Sequence, residues 1–169
     1  GPNGRLVVQH EELFMTPTVQ ASGDAVAVKA FCPGISGMKL LDNIAKGYDK
    51  YRVRSVVLKW KTSVGTTVSG AVLLAVDGNP ATKGTSLAYV QALCPKFRGP
   101  VWSEGQVVPQ ISDLMSQRWL NTSTDAAKAT NVDYACFAAV LAITGAQANV
   151  SYGEVWCHYV LDFAFPSGN

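Results

Sequence analysis

Charge is scarce in this chain. Lys, Arg, Asp and Glu make up 15% of its 169 residues, where about 25% is usual for a soluble domain. Fourteen Lys and Arg against twelve Asp and Glu leave a formal charge of +2, so the sequence carries no polybasic or polyacidic tail. Histidine is scarcer still. His10 and His158 are the only two, and each lies in a strand-like run, where an imidazole reads as a structural group rather than a general base. No GxxxxGK[ST] phosphate cradle, GxGxxG turn or GxSxG elbow occurs. Glu11 and Glu12 are neighbours on a strand, so their carboxylates point to opposite faces and cannot act as an acid–base couple. These absences argue against an enzyme and against a small-molecule substrate.

A long apolar run is missing too. The longest nearly uncharged stretch, Ala129 to Gly153, is interrupted by Asp133 and holds Asn, Thr, Gln and Gly, which excludes a helical membrane span. Cysteine is limited to Cys32, Cys94, Cys136 and Cys157. No pair has the spacing of a zinc knuckle or a CxxC motif, and there is no secretion signal. Buried free thiols in a reducing compartment are the expectation.

What is present is apolar: 48% of the residues are hydrophobic. A chain of this length buries about 70% of its unfolded surface and needs no disulfide or metal to hold one core. The low charge fits a large core and extensive subunit contacts equally well. Gly1-Pro2 reads as the remnant of a cleaved tag, which leaves residues 3–169 as a single domain and implies that a natural upstream segment has been shortened.

Turn signals recur at 21–24 (ASGD), 32–34 (CPG), 77–80 (DGNP), 98–100 (RGP) and 144–145 (TG), with runs of strand formers between them. In Val155 to Phe165, one alternate set is Val155, Cys157, Tyr159, Leu161, Phe163 and Phe165. The other set is Trp156, His158, Val160, Asp162 and Ala164, and this period of two is that of a half-buried strand. Ala135 to Thr144 is apolar on both faces, and its alanines permit close approach of a neighbouring layer. Tyr51 to Lys61 is a third long strand, with Thr67 to Val76 as its expected hairpin partner. Shorter strands are expected at Leu6 to Met15, Ala25 to Phe31, Val101 to Pro109 and Arg118 to Asn121. Met38 to Tyr48 and Thr85 to Leu93 have helical spacing. The expectation is therefore all-β: an eight-stranded antiparallel jelly-roll sandwich with two short helices in its connections.

Three groups of residues are candidates for function. Arg52, Arg54, Lys59 and Lys61 crowd one strand, and strict alternation puts Arg52 and Arg54 on one face and Lys59 and Lys61 on the other. They serve either to deter mispairing at an edge or to attract a polyanion such as RNA. Aromatic stacking residues are not interleaved with them in an RRM-like or OB-like way. Trp102 and Trp119, beside turn signals, are candidates for interface anchors or for core packing. Asp77, opening the Asp-Gly-Asn-Pro loop, is the one metal candidate, since it reads either as a calcium ligand or as an ordinary Asp-Gly turn.

The carboxyl end carries a resemblance. Thr144-Gly145, then 152–163 (YGEVWCHYVLDF) and Pro166 resemble the closing hairpin of small plant RNA virus coat proteins. The segments 48–53 (YDKYRV) and 70–77 (GAVLLAVD) are similar to two earlier strands of the same shell domain. His10-Glu11-Glu12-Leu13 is similar to its opening strand, and 31–34 (FCPG) to the turn before its first helix. Together they cover most of residues 6–166 in the family's order. The group is the capsid shell domain of tombusvirus-, sobemovirus- and luteovirus-like particles.

The resemblance implies self-assembly into a quasi-equivalent icosahedral shell, of the T=3 kind, around single-stranded genomic RNA. It implies a basic amino-terminal arm upstream, no membrane partner, and a place in the virion, with assembly in the host cytoplasm. The sequence ends soon after Pro166, which fits the members without a projecting domain. The family's calcium carboxylates form a cluster after the GAVLLAVD strand, where this sequence offers only Asp77, so no cofactor is expected. The alternative from another class is a ligand-binding jelly roll, lectin-like or receptor-binding.

Overall fold

The computed structural model describes residues 4–17, 19, 21–81, 86–110 and 118–167. In chain order its elements are β1 (Leu6–Met15), β2 (Gly23–Ala30), α1 (Lys39–Ala45), β3 (Tyr48–Thr62), β4 (Ala71–Asp77), α2 (Leu87–Ala92), β5 (Lys96–Pro100), β6 (Gly105–Val107), β7 (Leu120–Asn121), β8 (Ala138–Ala146) and β9 (Gly153–Pro166). Gly1-Pro2 lies outside the described residues.

Alternation decides the architecture. Along β9, Val155, Cys157, Tyr159, Leu161 and Phe163 are fully buried, while Trp156, His158 and Val160 between them are half-buried. Burying one large apolar side chain contributes about 1.5–3 kcal/mol, so this face fixes the strand's orientation. β9 is an inner strand of the first sheet, ordered β1-β9-β3-β6, with β7 pairing the start of β3. The second sheet is ordered β2-β8-β4-β5, and every pairing in both sheets is antiparallel. This is the expected sandwich.

Between the sheets, Tyr51, Leu58, Trp60 and Phe163 of the first meet Val72, Leu74, Leu141 and Ile143 of the second in one core. At one end Phe31 and Phe137 stack with ring centroids 5.2 Å apart. The buried polar tips are satisfied: the Tyr51 hydroxyl donates to the Tyr134 carbonyl at 2.6 Å, and Trp60 Nε1 donates to the Val101 carbonyl at 3.4 Å. β4 and β8 are apolar on both faces. Leu73, Ala75, Val140 and Ala142 point away from the main core and pack under Val90 of α2. The alanines let the helix lie close.

Both helices fall where the spacing put them. The N-terminus of α1 is held from another strand, because the Glu12 carboxylate accepts the Leu40 and Leu41 amides at 2.8 and 3.1 Å. Ahead of α1, the loop after Pro33 folds around Asp42, whose Oδ1 accepts from the Gly34 amide, the Ser36 amide and the Ser36 hydroxyl. Gly34 has φ +108°, and a Cβ there would sit 2.1 Å from the Ser123 carbonyl oxygen. Only glycine fits that turn.

Several expectations are corrected. β4 is not the hairpin partner of β3, since both edges of β3 are occupied, by β9 on one side and by β6 and β7 on the other. The chain after Thr62 therefore crosses to the opposite sheet. β8 and β9 likewise lie in different sheets, so the closing segment straddles the sandwich rather than forming a hairpin. The expected strand Val101 to Pro109 reduces to β6, and Arg118 to Asn121 to the two-residue β7. β5 has no counterpart in the expectations. Its sequence, KFRGP, offers one strong strand former on an edge with alternating exposure. Cys32, Cys136 and Cys157 are buried as expected, but Cys94 is exposed. Burial pushes the Cys32 and Cys136 thiols up to about 11 and Cys157 further still, which keeps all three unreactive.

Candidate RNA-facing and assembly surface

The outward face of the first sheet collects the basic residues. β3 carries a bulge: Val53 pairs Leu161 and Ser55 pairs Val160, which leaves Arg54 as the extra residue. A bulge of one residue reverses the alternation beyond it. Before it the buried residues are Tyr51 and Val53; after it they are Val56, Leu58 and Trp60. Arg52, Arg54, Lys59 and Lys61 therefore share one face, which corrects the split that strict alternation gives.

Each pair of cations closes on one carboxylate. Arg52 donates to Asp162 Oδ2 through Nε at 3.2 Å and Nη2 at 2.8 Å. Arg54 Nε lies 2.8 Å from Oδ1 and 2.9 Å from Oδ2, with its N–H aligned only to Oδ2. Asp162 is 3% exposed. Burial alone would raise its carboxyl, but the hydrogen bonds and charges of Arg52 and Arg54 outweigh that and hold it below the usual range. At the other end of the face, Lys59 and Lys61 reach Glu11 at 2.8 and 3.3 Å. The Lys59 hydrogen bond is the main reason the Glu11 carboxyl is also lowered. Glu11 and Glu12 do point to opposite faces, for the Glu12 carboxylate accepts the Tyr159 hydroxyl at 2.6 Å on the inner side.

Aromatic rings join both groups. The Arg52 guanidinium lies 4.6 Å from the Trp119 ring centroid and that of Arg5 lies 5.5 Å from it, while Lys61 Nζ is 4.5 Å from the Trp156 ring. In the strand itself Tyr51 and Trp60 alternate with the cations but are buried in the core, and the rings on this face come from β9 and from the segment before β7. Trp119 is half-buried against these guanidiniums, and Trp102, after β5, is 42% exposed. Core packing is thus not the role of Trp102. The buried tryptophan is Trp60.

His10 is exposed and His158 is half-buried, its ring 3.4 Å from the Gln9 amide nitrogen. Asp77 spends its carboxylate locally, where Oδ1 accepts the Asn79 amide at 2.9 Å and Oδ2 accepts the Tyr89 hydroxyl. Among the described residues no three His, Cys, Asp or Glu side chains come together to hold a metal ion. Asp77 and its neighbours form an Asp-Gly turn and do not by themselves fit calcium, which takes six to eight oxygens.

Sequence reasoning missed Phe165. Alternation assigns it to the buried set, but its backbone has φ +58° and its side chain is 61% exposed. It lines a cleft of about 460 Å³ together with Arg5, Trp119 and Ala164.

A five-stranded and a four-stranded antiparallel sheet in these orders, with a helix-bearing connection between β2 and β3 and another between β4 and β5, define a jelly roll of the viral capsid class. Residues 2–168 match the family Viral coat protein (S domain), and the chain belongs to that family. It is a coat-protein shell domain, a structural part of a virion. Among solved structures it is similar to the tobacco necrosis virus chain, with a TM-score of 0.85, 19% identity and coverage of 97% of each chain. The cocksfoot mottle virus chain gives 0.80 and 13% identity, covering 96% of each. The melon necrotic spot virus chain gives 0.80 and 17%, covering 96% of this chain and 56% of that one. No curated protein matches the chain in sequence. The lectin-like alternative finds no support in these comparisons.

Proposed function

We propose that this domain assembles with copies of itself into an icosahedral shell and that the shell encloses single-stranded RNA. The observation that carries the RNA half of this reading is the first sheet's outward face. There Arg5, Arg52, Arg54, Lys59 and Lys61 outnumber Glu11, Glu154 and Asp162, and the aromatic rings of Trp119 and Trp156 lie among them. Such a face attracts a polyanion through phosphate contacts that are independent of sequence and sensitive to salt. Exposed Trp102 and Val108 are apolar groups available to meet neighbouring subunits.

The test reduces charge without breaking either ion-pair group. Arg54→Ala leaves Asp162 with Arg52, and Lys59→Ala leaves Glu11 with Lys61. The double variant is expected to form particles that package less nuclease-protected RNA. Its slope of log affinity against log salt should become shallower by about 1.4, given roughly 0.7 for each of the two phosphate contacts removed on a single strand. Unchanged packaging and slope would place the RNA elsewhere. Electron microscopy showing small discrete oligomers and no spherical particles would remove the shell itself. Calcium is proposed to have no role at Asp77, for which Asp77→Asn with unchanged chelator sensitivity of the particles is the check.

A further inference from the structure

The cleft beside Phe165 has the composition of a nucleotide seat. Phe165 is the large side chain on β9 whose position alternation does not explain. After the buried Phe163 and Ala164, a regular strand would turn it to the core, and the left-handed backbone at φ +58° turns it to solvent instead. A phenylalanine in that conformation is strained, and what the strain achieves is an aromatic ring displayed at the rim of a cleft. The same cleft is lined by Arg5 and Trp119. The guanidiniums of Arg5 and Arg52 lie over Trp119, and Arg54, which shares Asp162 with Arg52, has the more exposed side chain of those two, 55% against 24%. The Asp162 carboxylate is already committed to Arg52 and Arg54. The site therefore offers a π-face and positive charge together. A cleft of this volume takes one aromatic base with its phosphate.

We propose that this cleft holds one unpaired nucleotide of RNA, its base stacked on Phe165 and its phosphate drawn by Arg5 and the Arg52–Arg54 pair. The proposal rests on the RNA-packaging reading and sharpens it, since it makes part of the RNA contact a stacking contact at a defined residue. Charge alone attracts any polyanion. An aromatic face distinguishes RNA from a polyanion without bases.

The experiment compares two probes on the whole chain at raised salt, where the phosphate contribution shrinks. One is a fluorescein-labelled oligoadenylate of about ten nucleotides, the other an inorganic polyphosphate of similar charge. Phe165→Leu is expected to weaken oligoadenylate binding about tenfold, in the range that removing one stacked base costs, and to leave polyphosphate binding unchanged. Phe165→Tyr, which keeps the ring, should bind oligoadenylate like the parent, which separates loss of stacking from loss of fold. Equal oligoadenylate affinity for Phe165→Leu and the parent would overturn the proposal. So would a parallel loss of both probes, which would make Phe165 a structural support for the arginines. Loss of particle formation with oligoadenylate binding intact would assign the ring to a neighbouring subunit and also overturn it. If the parent chain itself shows no affinity for oligoadenylate, the packaging reading falls first, an outcome distinct from a parent that binds but ignores Phe165.

Discussion

The two sheets share an inner core but treat their outward faces in opposite ways. The second sheet turns Leu73, Ala75, Val140 and Ala142 outward and covers them with α2. The first turns out arginines, lysines, carboxylates and indoles and leaves them open. One face is closed by dispersion and burial, the other by ion pairs that remain in reach of water. The difference teaches where this molecule can tolerate change. The helix-covered face contributes stability, and the open face is available for contacts with something else.

The sharpest way to break the comparison is truncation on each side. Leu73→Ala, fully buried beneath α2, should cost about 2–5 kcal/mol by denaturant unfolding. On the open face, Arg52→Ala leaves the buried Asp162 with Arg54 alone and should cost about 1–3 kcal/mol, the range for stripping a partner from a buried polar group. Lys59→Ala, on the more exposed Glu11 pair, should cost less than about 1 kcal/mol. If Lys59→Ala proved as costly as Leu73→Ala, the contrast between the faces would be wrong.

Acid sharpens the same contrast. Asp162 and Glu11 both have folded-state carboxyls below their ordinary values. Their contribution is therefore fully present above the unfolded pKa of about 4 and is lost as pH falls through the lower folded values. Unfolding followed from pH 6 down to about 2 should show stability falling below pH ~4. Asp162→Asn should flatten that fall, whereas Leu73→Ala should lower the whole curve without changing its shape. A curve that keeps its slope in Asp162→Asn would show that the open face is not what acid releases. The smallest effect belongs to Phe165. Phe165→Gly removes the left-handed penalty at a side chain that is already mostly in water, so thermal unfolding should show a gain of up to about 1 kcal/mol.

Much of the fold was legible because periodicity is a local property. The two-sided apolar pattern of 135–144 and the one-sided pattern of 155–163 each lie in a dozen residues, and both helices could be read from their spacing. Pairing is not local. Nothing in residues 48–62 says that Arg54 is one residue too many, because that is a statement about the register against β9. The same limit hid the site. The partners of Arg52 and Lys61 are Asp162, Trp119, Glu11 and Trp156, which lie about 50 to 110 positions away. Phe165 was misplaced for a different reason, since alternation assumes a regular backbone and φ +58° breaks it. β5 was missed because an exposed edge strand has little need of an apolar code.

The extra residue in β3 has one more consequence. It works as a phase shifter: Tyr51 and Val53 run in one phase against the core, and Val56, Leu58 and Trp60 run in the other. Removing Arg54 would leave the amino-terminal half seated while demanding that Trp60 face water and Lys59 and Lys61 face the interior. A single deletion here would therefore act on the polypeptide as a frameshift acts on a message, leaving everything upstream sensible and everything downstream inverted.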